Sequence, residues 1–494
     1  MSVPAEAPPR PAVTTVAAAA PGTPVPADRR LHWGPPTLAA GVLALAAARP
    51  IGDNSFLTHL ATGRVLLDRG WPQGNPFLAS APDDFPIPSW WWSGLLAVAE
   101  QVAGHAGIRL LTVALAALLG VLVVRLAAGR DGLVASVLPP AVAVLVLLPF
   151  VTPRPHLAGF LLLGVALVVR GERRRWWWLI PVFATWVNVH GTWLYGLVVL
   201  GLVAGADLLD GPHGRRRSGL RRDAALLGGA VLGVAVGGAL YPERFRLVGL
   251  PLEQLGGGAA REVIRAYNEW RPVGPASAVF WTLVLLGAAA AGGAVWRRRP
   301  GAFLAAVLLC GMGLSAQRLV PVAAISLVPL AASTLDGLGT IPAPSGRAAR
   351  TLGAVGAVLV ALALLAAVRG PHLDHERFPV AAVDRLEARG LVADPDVSVV
   401  HQDFVGNYLE WRYGTDAHAY VDDRPDLDTA VDYVDLVRLR PNWERVLERA
   451  DAQVVLWERD HPLDRALAEA PSWRRVEVVD GFSIWCSEGV SACR

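Results

Sequence analysis

Long apolar runs separated by short polar segments dominate the chain up to about residue 370. Eleven of them read as membrane spans, several of them shorter than the roughly 20 residues that a helix needs to cross bilayer hydrocarbon. They run from Leu38 to Ala48, Ile108 to Leu126, Leu133 to Val151, Leu157 to Val169, Trp176 to Val187 and Leu194 to Leu209. Ala224 to Leu240, Val279 to Val295, Phe303 to Leu314, Val320 to Leu335 and Leu352 to Val368 complete the set. The stretch from Trp90 to Ala106 is also apolar, but the alternation of sides assigns it to an interfacial helix. After His372 the pattern changes to short strand-like and helical pieces. Val397 to Val400, Ala417 to Val421, Gln453 to Leu456 and Val476 to Val479 read as buried strands. Pro379 to Arg389, Asn442 to Arg449 and Pro462 to Ala470 read as helices, and together they predict a small α/β unit.

Arginine placement orients the spans, because basic residues concentrate in cytoplasmic segments. Arg29-Arg30, Arg125 with Arg130, Arg173 to Arg175, the cluster from Arg215 to Arg222, Arg297 to Arg299 and Arg347 with Arg350 all fall on one side. Residues 1–32, rich in Pro and Ala, read as a disordered cytosolic tail. Residues 33–369 form the transmembrane domain, with an outer loop at 52–106. Residues 370–494 form an extracytoplasmic α/β domain. The tryptophan triplets agree with this orientation: Trp176 to Trp178 mark the inner interface and Trp90 to Trp92 the outer one.

Composition narrows the chemistry. Of 494 residues, 53% are hydrophobic and 18% charged, with a net charge of +3. Soluble domains average roughly 25% charged residues. No basic tail marks a nucleic-acid partner. All 45 basic residues are arginine, so lysine Schiff-base chemistry and the lysine-dependent phosphate loop are excluded. Of the three cysteines, Cys310 lies in a span, while Cys486 and Cys493 can pair if the C-terminal end lies outside the cytosol.

Polar residues collect at the outer ends of spans. Asp53, His59, Arg154, His156, Asn188, His190, Glu269 and Arg318 come from separate parts of the sequence and reach one membrane level. Ionisable groups at membrane depth are costly and normally face a cavity or each other, so the set is a candidate site. Each member also has a structural alternative. Asp53 can cap the helix that carries His59, Arg154 can close a chain reversal between two prolines, His190 can hold a tight turn, and Glu269 can pair with Arg271. Arg318 has no adjacent acid, and its guanidinium suits a phosphate.

Asp53 with His59, Ala61-Thr62-Gly63-Arg64, Asn75-Pro76-Phe77 and Trp90 to Trp92 resemble a poorly characterised group of bacterial multi-pass membrane proteins. Arg154-Pro155, Trp186 to Gly191, Glu269-Trp270, Arg318 with Pro321, Phe404 to Leu409 and Val421 to Arg424 match the same group. Its arrangement is similar to GT-C glycosyltransferases. That similarity implies an acid in the first outer loop as catalytic residue, here Asp53, assisted by His59. It implies a polyprenyl-phosphate-linked sugar as donor and membrane lipids as surroundings. Arg318, Arg154, His156, Asn188, His190 and Glu269 would bind the donor. The Asp-Glu pair of protein mannosyltransferases is absent, with Asp53-Asn54 in its place, and Asp83-Asp84 is no clear metal motif. A divalent cation and the oligomeric state stay open.

The expectation is therefore an α-helical polytopic protein of about eleven spans, GT-C-like, in a bacterial plasma membrane. Its function would be transfer of a sugar to an envelope acceptor at the outer face. Two other readings stand beside it. A lipid-sugar transporter or flippase would distribute polar groups through the depth of the spans. An envelope-assembly scaffold would work through Tyr408, Asp422, Asp423 and Arg424, which could equally be a turn closed by an Asp–Arg pair.

Overall fold

A computed structural model of the chain describes residues 33–488, apart from 73, 79–85, 131, 172–174, 212–215, 254–267, 339–340, 343, 393, 395 and 425–426. Each predicted span coincides with a helix: Gly34–Ala47, the second half of Trp90–Arg125, Leu133–Phe150, Pro155–Gly171, Leu179–Val189, Trp193–Asp210, Arg216–Leu240, Ala278–Trp296, Pro300–Ser315, Gln317–Leu335 and Gly346–Arg369. Among the described residues, seven helices are long and apolar enough to cross a membrane, and Gly34–Ala47, Pro155–Gly171 and Pro300–Ser315 are shorter apolar helices. The count of eleven crossings thus stays a proposal. Gln317–Leu335 is the innermost of the membrane-length helices, with 78% of its apolar window buried. Leu133–Phe150, Pro155–Gly171, Ala278–Trp296 and Pro300–Ser315 pack against it.

The interfacial helix and the second span form one continuous element, Trp90–Arg125, broken at Ala103 and Gly104. Gly104 takes φ +59, a left-handed conformation that glycine adopts without a Cβ clash. The chain therefore redirects where the expected boundary fell.

Close backbone approach holds the first and last spans together. A Cβ at Gly356 would lie 2.3 Å from the Thr37 carbonyl oxygen, and one at Gly34 2.2 Å from that of Ala349. Small residues permit this packing, which apolar side chains alone do not drive in lipid. Arg109, buried at 1% exposure, ties the same two helices at their ends. It donates to the carbonyls of Ala48, Ala367 (3.3 Å) and Gly370 (3.1 Å). Carbonyls at helix C-termini carry partial negative charge, which suits a cation. Just beyond, Ile51 N donates to His372 O at 2.9 Å and Asp374 N to Ile51 O at 3.0 Å. The segments after the first and last of these helices therefore lie side by side.

The C-terminal region contains a four-stranded sheet of β1 (Val399–His401), β2 (Val454–Glu458), β3 (Trp473–Val479) and β4 (Phe482–Ser487), in the order β1-β2-β4-β3. β1 runs parallel to β2, and the other pairs are antiparallel. Three strands and three helices fall where the sequence predicts them. Ala417 to Val421 does not form a strand. His418 takes φ +40, and Ala419 instead bridges to Leu78, its amide donating to Phe77 O at 2.9 Å. The helices Asp403–Tyr413 and Leu427–Val437 were not predicted. Cys486 in β4 is disulfide-bonded, while Cys493 lies outside the described residues.

One hydrophobic core joins this region to the loop helices. Phe56, Leu57 and Leu60 of helix Ser55–Asp68 and Trp92 and Leu96 of Trp90–Arg125 pack with Val405, Leu409, Leu456 and Ile484. That shared core fixes the C-terminal region against the residues around Asp53.

Candidate functional site

Asp53 lies two residues before helix Ser55–Asp68, whose N-cap is Asn54, and accepts from Ser55 N at 3.2 Å. Asp53 therefore supports the start of the helix without being its cap. The same oxygen also accepts from Arg154 Nε at 2.6 Å. Arg154 lies in the short turn before helix Pro155–Gly171, where Pro153 and Pro155 on either side restrict the backbone. Its NH1 reaches Glu269 Oε2 at 3.2 Å, and Arg318 NH1 reaches the other Glu269 oxygen at 3.1 Å. Arg318 NH2 approaches His190 Nε2 at 3.4 Å, and its guanidinium lies 4.3 Å over the Trp270 ring. Four segments far apart in sequence thus supply an alternating chain of charge: Asp53, Arg154, Glu269, Arg318.

Arg318 has no adjacent acid in sequence, and the structure supplies distant partners for it and for Asp53. Each is paired, Asp53 with Arg154 and Arg318 with Glu269. The Glu269–Arg271 alternative does not account for Glu269, which bridges two more distant arginines. The cause is topological, since turns between different spans meet at one face.

Electrostatics follow from the pairing. Burial alone would raise the Asp53 carboxyl, but the Arg154 guanidinium outweighs it and holds Asp53 below its ordinary value. Burial likewise opposes ionisation of Glu269, and Arg318 and Arg154 together hold that carboxyl below its usual range. Burial, with Arg318 beside it, keeps the His190 ring well below the ordinary imidazole value. His59 is pushed down to about 3 by burial and by the nearby Arg424 and Arg154. Both rings are therefore neutral at physiological pH, and neither is tuned for proton transfer there.

The remaining predicted residues take different places. His156 donates Nε2–H to Phe150 O at 2.9 Å and lies 6.4 Å, ring to ring, from His190. It lines the cluster without joining the ion chain. Asn188 is fully buried, donates to the carbonyls of Ala184 (2.9 Å) and Gly237 (3.0 Å), and accepts from Trp90 Nε1 at 2.8 Å. It anchors Trp90. His59 meets Ser93 Oγ at 3.2 Å, off to the side of the chain of charges. Beside Trp90, a notch of about 360 Å³ is lined by Leu66, Leu67, Trp71, Trp90, Trp91 and Gly94.

The C-terminal region adds groups that the sequence did not assign to the site. Ser55 Oγ donates to Asp423 Oδ2, and Asn54 Nδ2 donates to Phe404 O at 2.5 Å. Tyr408 and Asp422 are buried at 5% and 0% exposure, so they do not form a contact surface. Arg424 does close a turn on Asp422 (2.9 Å), as the structural alternative held. It also reaches Glu410 at 3.3 Å and Thr62 at 2.6 Å, locking the turn to helix Ser55–Asp68. The adjacent pair Asp422-Asp423 was the available signal, but nothing in the sequence directs it toward Asp53.

Among the described residues, no group of three His, Cys, Asp or Glu side chains is placed to hold a metal ion. Asp53 and Glu269 are each engaged by a guanidinium, a donor set that does not fit a divalent cation.

No family model and no curated protein matches the chain. Solved structures do. An oligosaccharyltransferase of Archaeoglobus fulgidus, tethered by a disulfide to an acceptor peptide containing an NVT sequon, aligns over 87% of this chain and 69% of its own. The TM-score is 0.51 at 13% identity. The oligosaccharyltransferase AglB of Archaeoglobus fulgidus, in complex with an inhibitory peptide and a dolichol-phosphate, aligns over 92% of this chain and 74% of its own, with TM-score 0.49 and 11% identity. The likeness is one of fold: the chain is a multi-pass membrane protein with the GT-C architecture.

Proposed function

We propose that this protein is a glycosyltransferase that moves a sugar from a polyprenyl-phosphate donor to an envelope acceptor. It works at the outer face of a bacterial plasma membrane, with its N-terminus cytosolic and residues 370–494 outside. The supporting observation is the pair of guanidinium groups, Arg154 and Arg318, that share Glu269 at 3.2 and 3.1 Å. Glu269 is the most exposed member of the chain, with its side chain at 42%. Its carboxylate occupies the position that a lipid phosphate would take between two forked donors.

A phosphate held there has its departing charge stabilised by two fixed cations, the main electrostatic demand of the reaction. Asp53 keeps Arg154 aimed, and His190 and His156 border the sugar. Trp90 and the notch beside it would receive the first part of the isoprenoid chain at the lipid boundary.

The test uses full-length protein in liposomes with undecaprenyl phosphate as probe. Arg154→Ala and Arg318→Ala should each weaken binding about tenfold or more, near the 1.4 kcal/mol that tenfold represents. Wild-type protein should release sugar from undecaprenyl-phosphate-glucose. Binding unchanged by both substitutions would overturn the proposal. The second reading, a scaffold, draws on the same geometry, since every charge in the chain is already paired. It requires that no polyprenyl phosphate binds at all.

A further inference from the structure

We propose that Asp423, contributed by the C-terminal region and assisted by Asp403, is the base that takes the proton from the acceptor, and that Asp53 is a positioning residue for Arg154. This inference rests on the glycosyltransferase reading above. The acceptor then binds where the C-terminal region meets helix Ser55–Asp68.

Geometry separates the two aspartates. Asp53 Oδ1 is taken twice, by Arg154 Nε at 2.6 Å and by Ser55 N at 3.2 Å. The paired guanidinium holds the Asp53 carboxyl below its ordinary value, which makes it a weak base for a substrate proton. Asp423 sits one residue further along the same chain of contacts. Ser55 Oγ donates to its Oδ2, and Ser55 N to Asp53. The acid is thereby set beside the proposed donor site but outside its ion pairs.

The surroundings of Asp423 are built from three elements. Arg154 faces it from the turn before helix Pro155–Gly171, Asp403 from the first turn of helix Asp403–Tyr413, and Asp422 from its own segment. Asp403 is held by Tyr433, whose hydroxyl donates to it at 2.8 Å. Asn407 is 1% exposed and accepts from Asp423 N at 3.1 Å. Asn54 Oδ1, next to Asp53, is buried and unpartnered. Asn407 Nδ2 faces the Asp423 carboxyl; buried polar atoms are ordinarily satisfied, so the orphaned Asn54 acceptor at this junction marks where a hydroxyl-bearing ligand fits.

Proton affinity points the same way. Burial raises the Asp423 carboxyl, against the pull of Arg154. Burial, and then Asp423 itself, pushes Asp403 up to about 6. Groups that titrate near the working pH are the effective acid–base catalysts, and two adjacent acids titrate as a pair.

The step balances without a further reactant. The acceptor hydroxyl gives its proton to the Asp423 carboxylate as its oxygen bonds to the anomeric carbon. The bond from that carbon to the phosphate oxygen breaks, and the lipid phosphate leaves with the electron pair between Arg154 and Arg318.

The test compares Asp423→Asn, Asp403→Asn and Asp53→Asn in full-length protein in liposomes. It follows undecaprenyl phosphate binding and glucose release from undecaprenyl-phosphate-glucose with water as acceptor. Asp423→Asn should lower release at least a hundredfold while binding stays within twofold. Asp403→Asn should retain release but move the acidic limb of the rate profile to lower pH, because loss of the neighbouring charge makes Asp423 easier to ionise. A purely structural Asp403 would not move that limb. Asp53→Asn should weaken binding as well as release. Wild-type release from Asp423→Asn, or an unmoved limb in Asp403→Asn, overturns the inference and leaves the donor site intact. Loss of the Arg318 dependence of lipid binding instead overturns the function from which the inference starts.

Discussion

Removing Arg154 tests the chain of charges directly, because this one residue holds two carboxylates. A double-mutant cycle of Arg154→Ala and Asp53→Asn isolates the first contact. The pair meets at 2.6 Å with side chains 28% and 17% exposed. Unit charges about 4 Å apart attract by about 4 kcal/mol at an effective dielectric near 20. Desolvation and partial exposure remove much of that, which leaves an expected coupling of about 1.5–3 kcal/mol. The assay is denaturant unfolding in mixed micelles at pH 7, with all four proteins compared at fixed lipid content. The pH dependence gives a second arm. Arg154 depresses the Asp53 carboxyl in the folded state, so its contribution is fully present above the unfolded value, about 3.9. It is lost as pH falls through the lower folded value. The wild type should therefore lose this increment in acid, and Asp53→Asn should not. A coupling below about 0.5 kcal/mol, in the range of an exposed pair, would refute the ion chain as drawn.

Three further outcomes are expected. Glu269→Gln should tighten undecaprenyl phosphate binding by about threefold to tenfold, because it removes the anion that competes for both arginines; weaker binding in the liposome assay would count against the placement of the phosphate. Gly356→Val should destabilise by about 3 kcal/mol or more, at or above the usual overpacking range, since its Cβ would lie 2.3 Å from a backbone oxygen of the first helix; thermal unfolding in micelles measures this. Glu444→Cys, on the exposed side of the C-terminal region, should react with an impermeant maleimide in intact cells; labelling only after permeabilisation would reverse the orientation.

The sequence by itself determined the membrane class, the position of every span helix and the identity of the polar residues that form the ion chain. These follow from local quantities. Apolar run length is set by bilayer thickness, arginine placement by the cost of moving charge across a membrane, and helix ends by proline and glycine. The α/β character of the C-terminal region was legible in the same way, through Val454 to Leu456 and the helix starting at Pro462. Ala417 to Val421 was misread because its alternation is a local pattern, whereas Ala419 pairs with Leu78, far away in the chain. Only the tertiary structure decided the partners. Nothing adjacent to Arg318 announces Glu269, and nothing near Asp53 announces Arg154 or Asp423. Their meeting depends on which turns the packed helices bring to one face, and on the core that Phe56, Leu60 and Trp92 share with Val405 and Leu456. That core presses the C-terminal region against the loop and places Asp423 beside Ser55. The residue types were visible in the sequence; their charge states were not, because burial and opposing charge are properties of the assembled fold.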